Sequence, residues 1–367
     1  MNKEHIKTVF EQFAHNTSFK NLKEFSSGHI NDTYFIDTEE GEKFVLQRIN
    51  NDVFKDVPAL VANKVKISKH LAAKLPDLPE AEKKRRVLSF VPASTGDYHY
   101  VDNLGMYWNL TNYIDGSRVF DKVTEEKVAN EGGKLFGDFI KATNDFDSSL
   151  LVEVLPGFHD MKNRLEQFEN AKSKATKERL DRAETCIQRV YELEEEMVIL
   201  QNLKEDGQIP VRVTHNDTKI SNALFDKNNK GLCVIDTDTV MPGIVHYDFG
   251  DAIRTICNTA EEDEKDLDLV TFNVDYYKAY LEGFLKELHF SLNETEIKYL
   301  PLGAKTIIFI MGLRFLTDYL LGDIYYKTTY AEHNLDRAKN QLKLIASFEE
   351  QYEQIEDASK SILSKMN

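Results

Sequence analysis

The stretch Val213-Thr-His-Asn-Asp-Thr-Lys-Ile-Ser-Asn222, with the acidic strand end that follows it, constrains this 367-residue chain more than any other feature. Asp217, Lys219 and Asn222 stand in the order D-x-K-x-x-N, with His215 two residues ahead of the aspartate. Ala223-Leu-Phe225 and Leu232-Cys-Val-Ile235 are short apolar runs joined by the polar, glycine-containing Asp226-Lys-Asn-Asn-Lys-Gly231. Apolar runs around such a turn predict a β-hairpin. A turn centred on Asn229 sets Asn222 opposite Asp236, with Asp238 two residues further on.

An amide oxygen and a carboxylate held side by side suit a hard cation such as Mg2+ that is shared with phosphates. Asp217, in the loop leading in, suits another task, accepting the proton of a hydroxyl that attacks phosphorus. An acidic hairpin by itself readily yields a D-x(4)-N…D pattern. His215, Lys219 and an apolar strand that ends in Asp236 make this combination more specific.

The arrangement H-N-D-x-x-x-x-N…I-D-x-D resembles the aminoglycoside phosphotransferase and choline kinase superfamily, which is protein-kinase-like. Within it, His215-Asn-Asp-Thr-Lys-Ile-Ser-Asn222 and Val234-Ile-Asp-Thr-Asp-Thr-Val-Met-Pro-Gly243 are similar to the N-acetylhexosamine 1-kinases. So are Arg314-Phe-Leu-Thr-Asp-Tyr-Leu-Leu-Gly-Asp-Ile-Tyr325 and Ser27-Gly-His-Ile-Asn31. The resemblance runs from about residue 20 to about residue 345. It implies an α+β, two-lobed kinase-like fold, with a small β-rich lobe over 1–114 and a larger helical lobe over 115–367.

Taken in order, the chain agrees with that division. The first twenty residues predict a short amphipathic helix with Ile6, Val9, Phe10 and Phe13 on one face. Strands are expected at 21–25, 33–36 and 43–49, and a helix at 59–75 from the spacing of Val61, Val65 and Leu71. Two departures from a kinase-like lobe stand out. The phosphate turn carries only Gly28, and Gln47 occupies the third strand where a phosphate-pairing Lys or Arg is usual. Backbone N–H groups around Ser27 and Gly28 are expected to meet phosphate, with Lys219 or Arg48 supplying missing charge. Further strands are expected at 85–91, 97–101 and 106–114, with Trp108 in the core. Asp115-Gly116 then ends the run where a hinge belongs, and adenine would meet backbone groups of Asn112, Tyr113 and Ile114.

Beyond this point the pattern is helical. Thr124-Glu-Glu-Lys opens with a cap signal, and Leu135, Phe136, Phe139 and Ile140 share a face. The run 162–204, free of Pro and Gly and dense in charge, predicts two solvated helices broken near Ser173. Asp248-Phe-Gly250 is a literal D-F-G, but it lies too far past Asn222 to supply the metal aspartate. Asp248 and Asp251 are expected to cap the next helix and brace the loop; an alternative brings Asp251 or Arg254 to the substrate. Three helices are expected at 274–288, 294–321 and 332–358. Arg314, inside an apolar stretch, needs either a buried carboxylate or a polar pocket.

The 46 Lys and Arg against 62 Asp and Glu leave a net charge of −16, which argues against a nucleic-acid surface. Cys186, Cys233 and Cys257 have no metal-ligand spacing and fit a reducing compartment. No unbroken apolar run opens the chain, and 307–313 is too short to cross a bilayer. A cytoplasmic chain is expected, with ATP and a small sugar as partners and neither nucleic acid nor membrane. Nothing in the sequence assigns an oligomeric state.

The resemblance implies transfer of the ATP γ-phosphoryl group to the anomeric hydroxyl of GlcNAc or GalNAc. Asp217 would orient that hydroxyl and take its proton, and Lys219 would neutralise the moving phosphoryl group. Asn222 and Asp236 would hold Mg2+, with Asp238 behind them or on a second ion. His29, Arg314 and Tyr325 would form the sugar site. A cationic acceptor would want carboxylates or an aromatic cage instead. Alternatives are a kinase of the same fold acting on another hexose, homoserine or an amino alcohol, and a non-catalytic nucleotide-binding module. A protein kinase is disfavoured, for want of an A-P-E segment.

Overall fold

A computed structural model describes residues 2–25 and 30–366. The chain divides into two compact units, each built from three segments. The first comprises Met1–Val119, Ala142–Pro156 and Asn222–Pro242, and the second Phe120–Lys141, Gly157–Ser221 and Gly243–Asn367. The first is strand-rich and the second helical, an α+β architecture.

In the first unit, helix α1 (Lys3–Phe10) opens on Asn2, whose side chain accepts from the His5 N–H. Strands β1 (Phe19–Phe25), β2 (Asp32–Thr38), β3 (Lys43–Ile49), β4 (Phe90–Val91), β5 (Tyr100–Val101) and β6 (Tyr107–Asn112) form an antiparallel sheet. Its order is β1-β2-β3-β6-β4, with β5 also on β6. Alternation along β2 and β3 turns Tyr34, Ile36, Phe44 and Leu46 to one face, where they meet Ile6, Val9 and Phe10 of α1. Trp108 is a core residue, as expected: it is fully buried and donates Nε1–H to Asp102 at 2.9 Å.

Helix α2 (Val57–Ala73) starts at Asp56, whose side chain accepts from the Ala59 N–H. The strand expected over 85–91 is mostly helix: α3 (Glu80–Arg86) precedes the two-residue β4. Glu80 and Glu82 in its first turn and Lys83 to Arg86 in its last match the helix dipole, which outweighs a weak strand pattern. Strands β7 (Ala223–Phe225) and β8 (Gly231–Val234) form the expected hairpin, and Asn229 has φ of 63°. Their register is one residue from the expected one. Ala223 faces Val234, and the Ile235 N–H donates to the Asn222 carbonyl at 2.9 Å, so Asn222 lies across from Ile235.

The second unit contains α4 (Glu126–Ala142), α5 (Met161–Lys174), α6 (Lys177–Met197), α7 (Ile199–Glu205) and α8 (Val245–Ile256). It continues with α9 (Val274–Leu288), α10 (Glu294–Lys298), α11 (Leu300–Leu321), α12 (His333–Glu350) and α13 (Tyr352–Met366). The expected break near Ser173 falls at Thr176, which caps α6 by accepting from the Arg179 N–H. The expected 294–321 helix divides before Pro301, which lacks the N–H needed inside a helix and starts α11 instead. The expected 332–358 helix divides at Gln351, whose side chain donates to the Phe272 and Ser347 carbonyls.

Helix α11 is the axis of this unit, packed by α5, α6, α8 and α12. It is long and apolar enough to cross a membrane, but 78% of that stretch is buried in the unit, so its apolarity serves the core. A pair of glycines sets the contact with α8. A Cβ on Gly250 would lie 2.3 Å from the Gly303 carbonyl oxygen, and one on Gly303 would lie 2.7 Å from the His246 carbonyl. That close approach fixes where α8 holds Asp248.

Candidate active site

The D-x-K-x-x-N loop leaves the short strand Arg212–Thr214 in the second unit. His215 is fully buried and meets the rings of Phe136 and Phe139 edge-on, each at 5.8 Å. It braces the loop, consistent with a structural histidine. Asp248 takes the His215 N–H on one carboxylate oxygen at 2.8 Å and the Asn216 N–H on the other at 2.7 Å. Asp248 lies in the first turn of α8 but makes no side-chain cap, so of its two expected tasks it performs the bracing one. Burial pushes its carboxyl up to about 6, against the charge of His215 and the two N–H donors. Asn216 has φ of 62°, a left-handed turn that sets up the next residue.

Asp217 is about one-third exposed, and Lys219 donates Nζ–H to it at 2.9 Å. Asp251 is buried, with Oδ1 accepting from Arg254 and Oδ2 lacking a partner among the described residues. Burial raises the Asp251 pKa, the Arg254 charge opposes that, and the negative charge of Asp217 raises it further. The Asp251–Arg254 pair therefore shares the electrostatic field of Asp217 and Lys219.

A second cluster in the same unit is built on two guanidinium groups. Arg314 of α11 lies over the rings of Phe158, Tyr325 and Tyr326 at 5.4, 6.0 and 5.6 Å. Among the described residues it has no carboxylate partner; its one polar contact is the Met311 sulfur at 3.5 Å. Arg164 of α5 donates to the Phe158 carbonyl and to Gln167, each at 3.0 Å, while its buried Nε has no partner among the described residues. Burial, and then the like charge of Arg314, lower the Arg164 pKa. His159 is hydrogen-bonded to the Asn216 side chain, and burial followed by the Arg314 and Arg164 charges holds its pKa down at about 3. The ring is therefore neutral near pH 7. Asp318 presents the aromatic pair by accepting the N–H groups of Ile324, Tyr325 and Tyr326 at 2.8–3.0 Å.

In the first unit Asp236 has φ of 58° and ψ of 56°. A left-handed residue interrupts the alternation of the strand, so the face presented by its carboxylate is set by this turn and not by strand period. Both oxygens of the buried Asp238 are occupied, one by the Lys64 ammonium and the other by the Asn31 amide. Lys64, from α2, also donates to Gln47 of β3 at 3.1 Å. Near the end of β6, the Asn112 and Tyr113 N–H groups are spent on the Ser89 and Lys43 carbonyls, both at 3.0 Å. The Ile114 N–H makes no such bond to a described residue. The Ile114 side chain packs with Leu88, Leu224, Leu232, Cys233 and Ile235 in an apolar cluster.

The phosphotransferase enzyme family (APH) matches residues 21–287 of this sequence. The chain belongs to that family. Solved structures place this phosphotransferase in the same fold. An amicoumacin kinase in complex with AMP-PNP, Ca2+ and Ami is 12% identical, covers 94% of this chain and 93% of its own, and has a TM-score of 0.60. A microcompartment-associated aminopropanol kinase is 15% identical, with coverages of 95% and 98% and a TM-score of 0.63. A Plasmodium vivax ethanolamine kinase is 14% identical, with coverages of 93% and 90% and a TM-score of 0.57.

Of the residues expected in the phosphotransferase site, Asp217 and Lys219 are in direct contact, and Arg314 and Tyr325 share one cluster. Asn222 and Asp236 flank the base of one hairpin. Ser27, Gly28 and His29 lie outside the described residues. The two cations expected to stand in for the missing strand lysine at Gln47 are each paired with a carboxylate. Arg48 pairs with Asp32 at 2.5 Å, and Lys219 pairs with Asp217. Lys64 occupies that place, and its signal was present: a lysine seven residues along the apolar stripe begun by Val57, Leu60 and Val61. Arg164 was hidden in a run whose charge density reads as a solvated face.

Proposed function

We propose that this phosphotransferase moves the γ-phosphoryl group of ATP onto the anomeric hydroxyl of an N-acetylhexosamine, giving the sugar 1-phosphate. The observation that carries the acceptor class is the Arg164–Arg314 cluster. The Arg314 guanidinium lies over aromatic rings, the like charge of Arg164 acts beside it, and neither group is ion-paired with a carboxylate among the described residues. Nearby acids are engaged elsewhere: Asp160 caps α5, and Glu262 pairs with Arg254. Such a surface donates hydrogen bonds to neutral or electron-rich oxygens and repels an ammonium group. Hydroxyl and acetamido oxygens fit it; the amino alcohol of an ethanolamine-type acceptor does not.

Asp217 is the proton acceptor in this reading. An anomeric hydroxyl is more acidic than an ordinary alcohol, so a carboxylate of modest basicity suffices. Lys219 orients that carboxylate and offsets charge that builds up on the phosphoryl oxygens. The Asn216–His159 hydrogen bond links the loop bearing Asp217 to the arginine cluster, which positions base and acceptor together. Tyr325 and the expected donor His29 complete the sugar site. The Ile114 N–H and the apolar cluster around it suit the adenine edge and face, and Ser27 and Gly28 are assigned to phosphate.

Among the described residues no three His, Cys, Asp or Glu side chains converge into a closed metal cage. The donor set fits Mg2+ of the kind completed by phosphate oxygens. Asn222 and Asp236 would hold it, and it would supply charge neutralisation at the phosphates. Asp238 supports this group by holding Lys64.

The test is ATP consumption with Mg2+ over a panel of free sugars and amino alcohols, with the product read by phosphorus NMR. A 1-phosphate of N-acetylglucosamine or N-acetylgalactosamine is expected, seen as coupling between phosphorus and the anomeric proton. Phosphate on the 6-hydroxyl, or consumption of an amino alcohol alone, overturns the acceptor assignment.

A further inference from the structure

We propose that Lys64 is the phosphate-binding cation of the nucleotide site, so that the strand and helix positions have exchanged roles in this chain. In kinase-like lobes the ammonium comes from the third strand and is held by a carboxylate on the helix. Here the strand position is Gln47, and the helix supplies the ammonium. The two side chains touch, with Lys64 Nζ 3.1 Å from Gln47 Oε1. The exchange therefore leaves the ammonium in nearly the same place while changing the element that carries it.

Four observations support a ligand role over a purely structural one. Lys64 is only 4% exposed, and a buried ion pair contributes little net stability, because desolvation cancels most of its Coulomb attraction. Its carboxylate partner, Asp238, lies two residues beyond Asp236 and is clamped from the other side by Asn31, which also accepts the Asn50 N–H at 2.8 Å. An ammonium has three N–H donors; Asp238 and Gln47 accept two, the Phe90 ring lies 5.6 Å from Nζ, and no described oxygen or nitrogen accepts the third. The other cations of this sheet are committed, Arg48 to Asp32 and Lys43 to Asp115 at 2.6 Å. The third N–H of Lys64 is thus available to a phosphate oxygen, while Asp238 and Gln47 hold the group in place.

The proposal rests on the phosphotransferase reading but not on the identity of the acceptor, so nucleotide binding tests it without any sugar. The probe is Mg–ATP, titrated calorimetrically against the full chain, with kcat measured on whichever acceptor the panel identifies. Lys64→Gln is expected to weaken Mg–ATP binding by about tenfold or more, the loss of a charged hydrogen-bond donor. The acceptor KM should change by less than about twofold. The double variant Gln47→Lys with Lys64→Gln returns the ammonium to the strand and should recover most of the lost affinity. Should Lys64→Gln leave Asp238 unpaired and fail to fold, Lys64→Gln with Asp238→Asn removes both charges together. A folded variant of either kind that binds Mg–ATP as tightly as the wild type overturns the proposal. So does a folded exchange variant that binds no better than Lys64→Gln alone. Loss of acceptor turnover with unchanged Mg–ATP affinity would equally refute it, while leaving the kinase reading intact.

Discussion

Asp248 and Asn216 are joined at 2.7 Å, carboxylate to backbone N–H, and with the matching His215 bond this holds the left-handed turn that precedes Asp217. The acid sits on α8, whose own position depends on the Gly250–Gly303 approach. The geometry of the proposed base is therefore set by a residue more than one element away. Asp248→Asn puts an amide N–H where one of these acceptors stood and should cost about 1–3 kcal/mol. It should also lower kcat with Mg–ATP affinity kept. Unchanged melting temperature and kcat would remove Asp248 from the positioning role.

The same residue makes a pH prediction whose sign follows from burial. Folding raises this carboxyl from about 3.9 to about 6, so between those values the folded chain takes up a proton that the unfolded chain does not. Its contribution is fully present below about 4 and is lost as pH rises through about 6. The melting-temperature gap between wild type and Asp248→Asn should therefore be wider at pH 5 than at pH 7.5. A gap that narrows on acidification would mean that the carboxyl is not raised.

Asp217→Ala should lower kcat by at least about a hundredfold, the range for general-base and positioning groups, while Mg–ATP still binds. Titration calorimetry and steady-state rates on the same preparation separate the two. A variant that keeps more than about a tenth of the wild-type kcat excludes Asp217 as the base.

Asp236→Asn should abolish metal-dependent turnover and weaken Mg–ATP binding more than metal-free ATP binding. Equal weakening of both would mean that the carboxylate acts on the nucleotide without a cation. The comparison needs only binding isotherms with and without chelator.

Arg314→Ala and Arg164→Ala should each reduce kcat/KM for the sugar by roughly ten- to 150-fold, since a charged donor's hydrogen bond is worth about 1.5–3 kcal/mol. Mg–ATP affinity should be kept. Neither substitution leaves a paired carboxylate behind, so the melting temperature should fall by no more than a few degrees. Relief of the Arg164–Arg314 repulsion should register in the same scan as a gain that offsets lost packing against Phe158. A large drop in stability with unchanged sugar kinetics would assign the pair to the fold instead.

Local chemistry made much of this protein legible from residue order alone. The hairpin, the left-handed turn residue Asn229, the core role of Trp108 and the order of Asp217, Asn222 and Asp236 depend on spacing and turn propensity, which act over a few residues. What sequence could not determine depends on distance in space. The hairpin register differs by one residue because the ladder is irregular between Leu224 and Phe225, beside the turn, which no local pattern required. The hairpin belongs to the same compact unit as the first sheet although a hundred residues separate them, a choice made by burial of Ile114, Leu224 and Leu232 together. Lys64 and Gln47 are 17 positions apart, and only the tertiary fold, in which α2 packs on the turn Thr237–Thr239, brings ammonium and amide together. Arg164 and Arg314 lie on helices 150 positions apart in sequence, so their like charges meet only after α5 packs on α11. A charge in sequence is counted alone; its partner, or the lack of one, exists only in the fold.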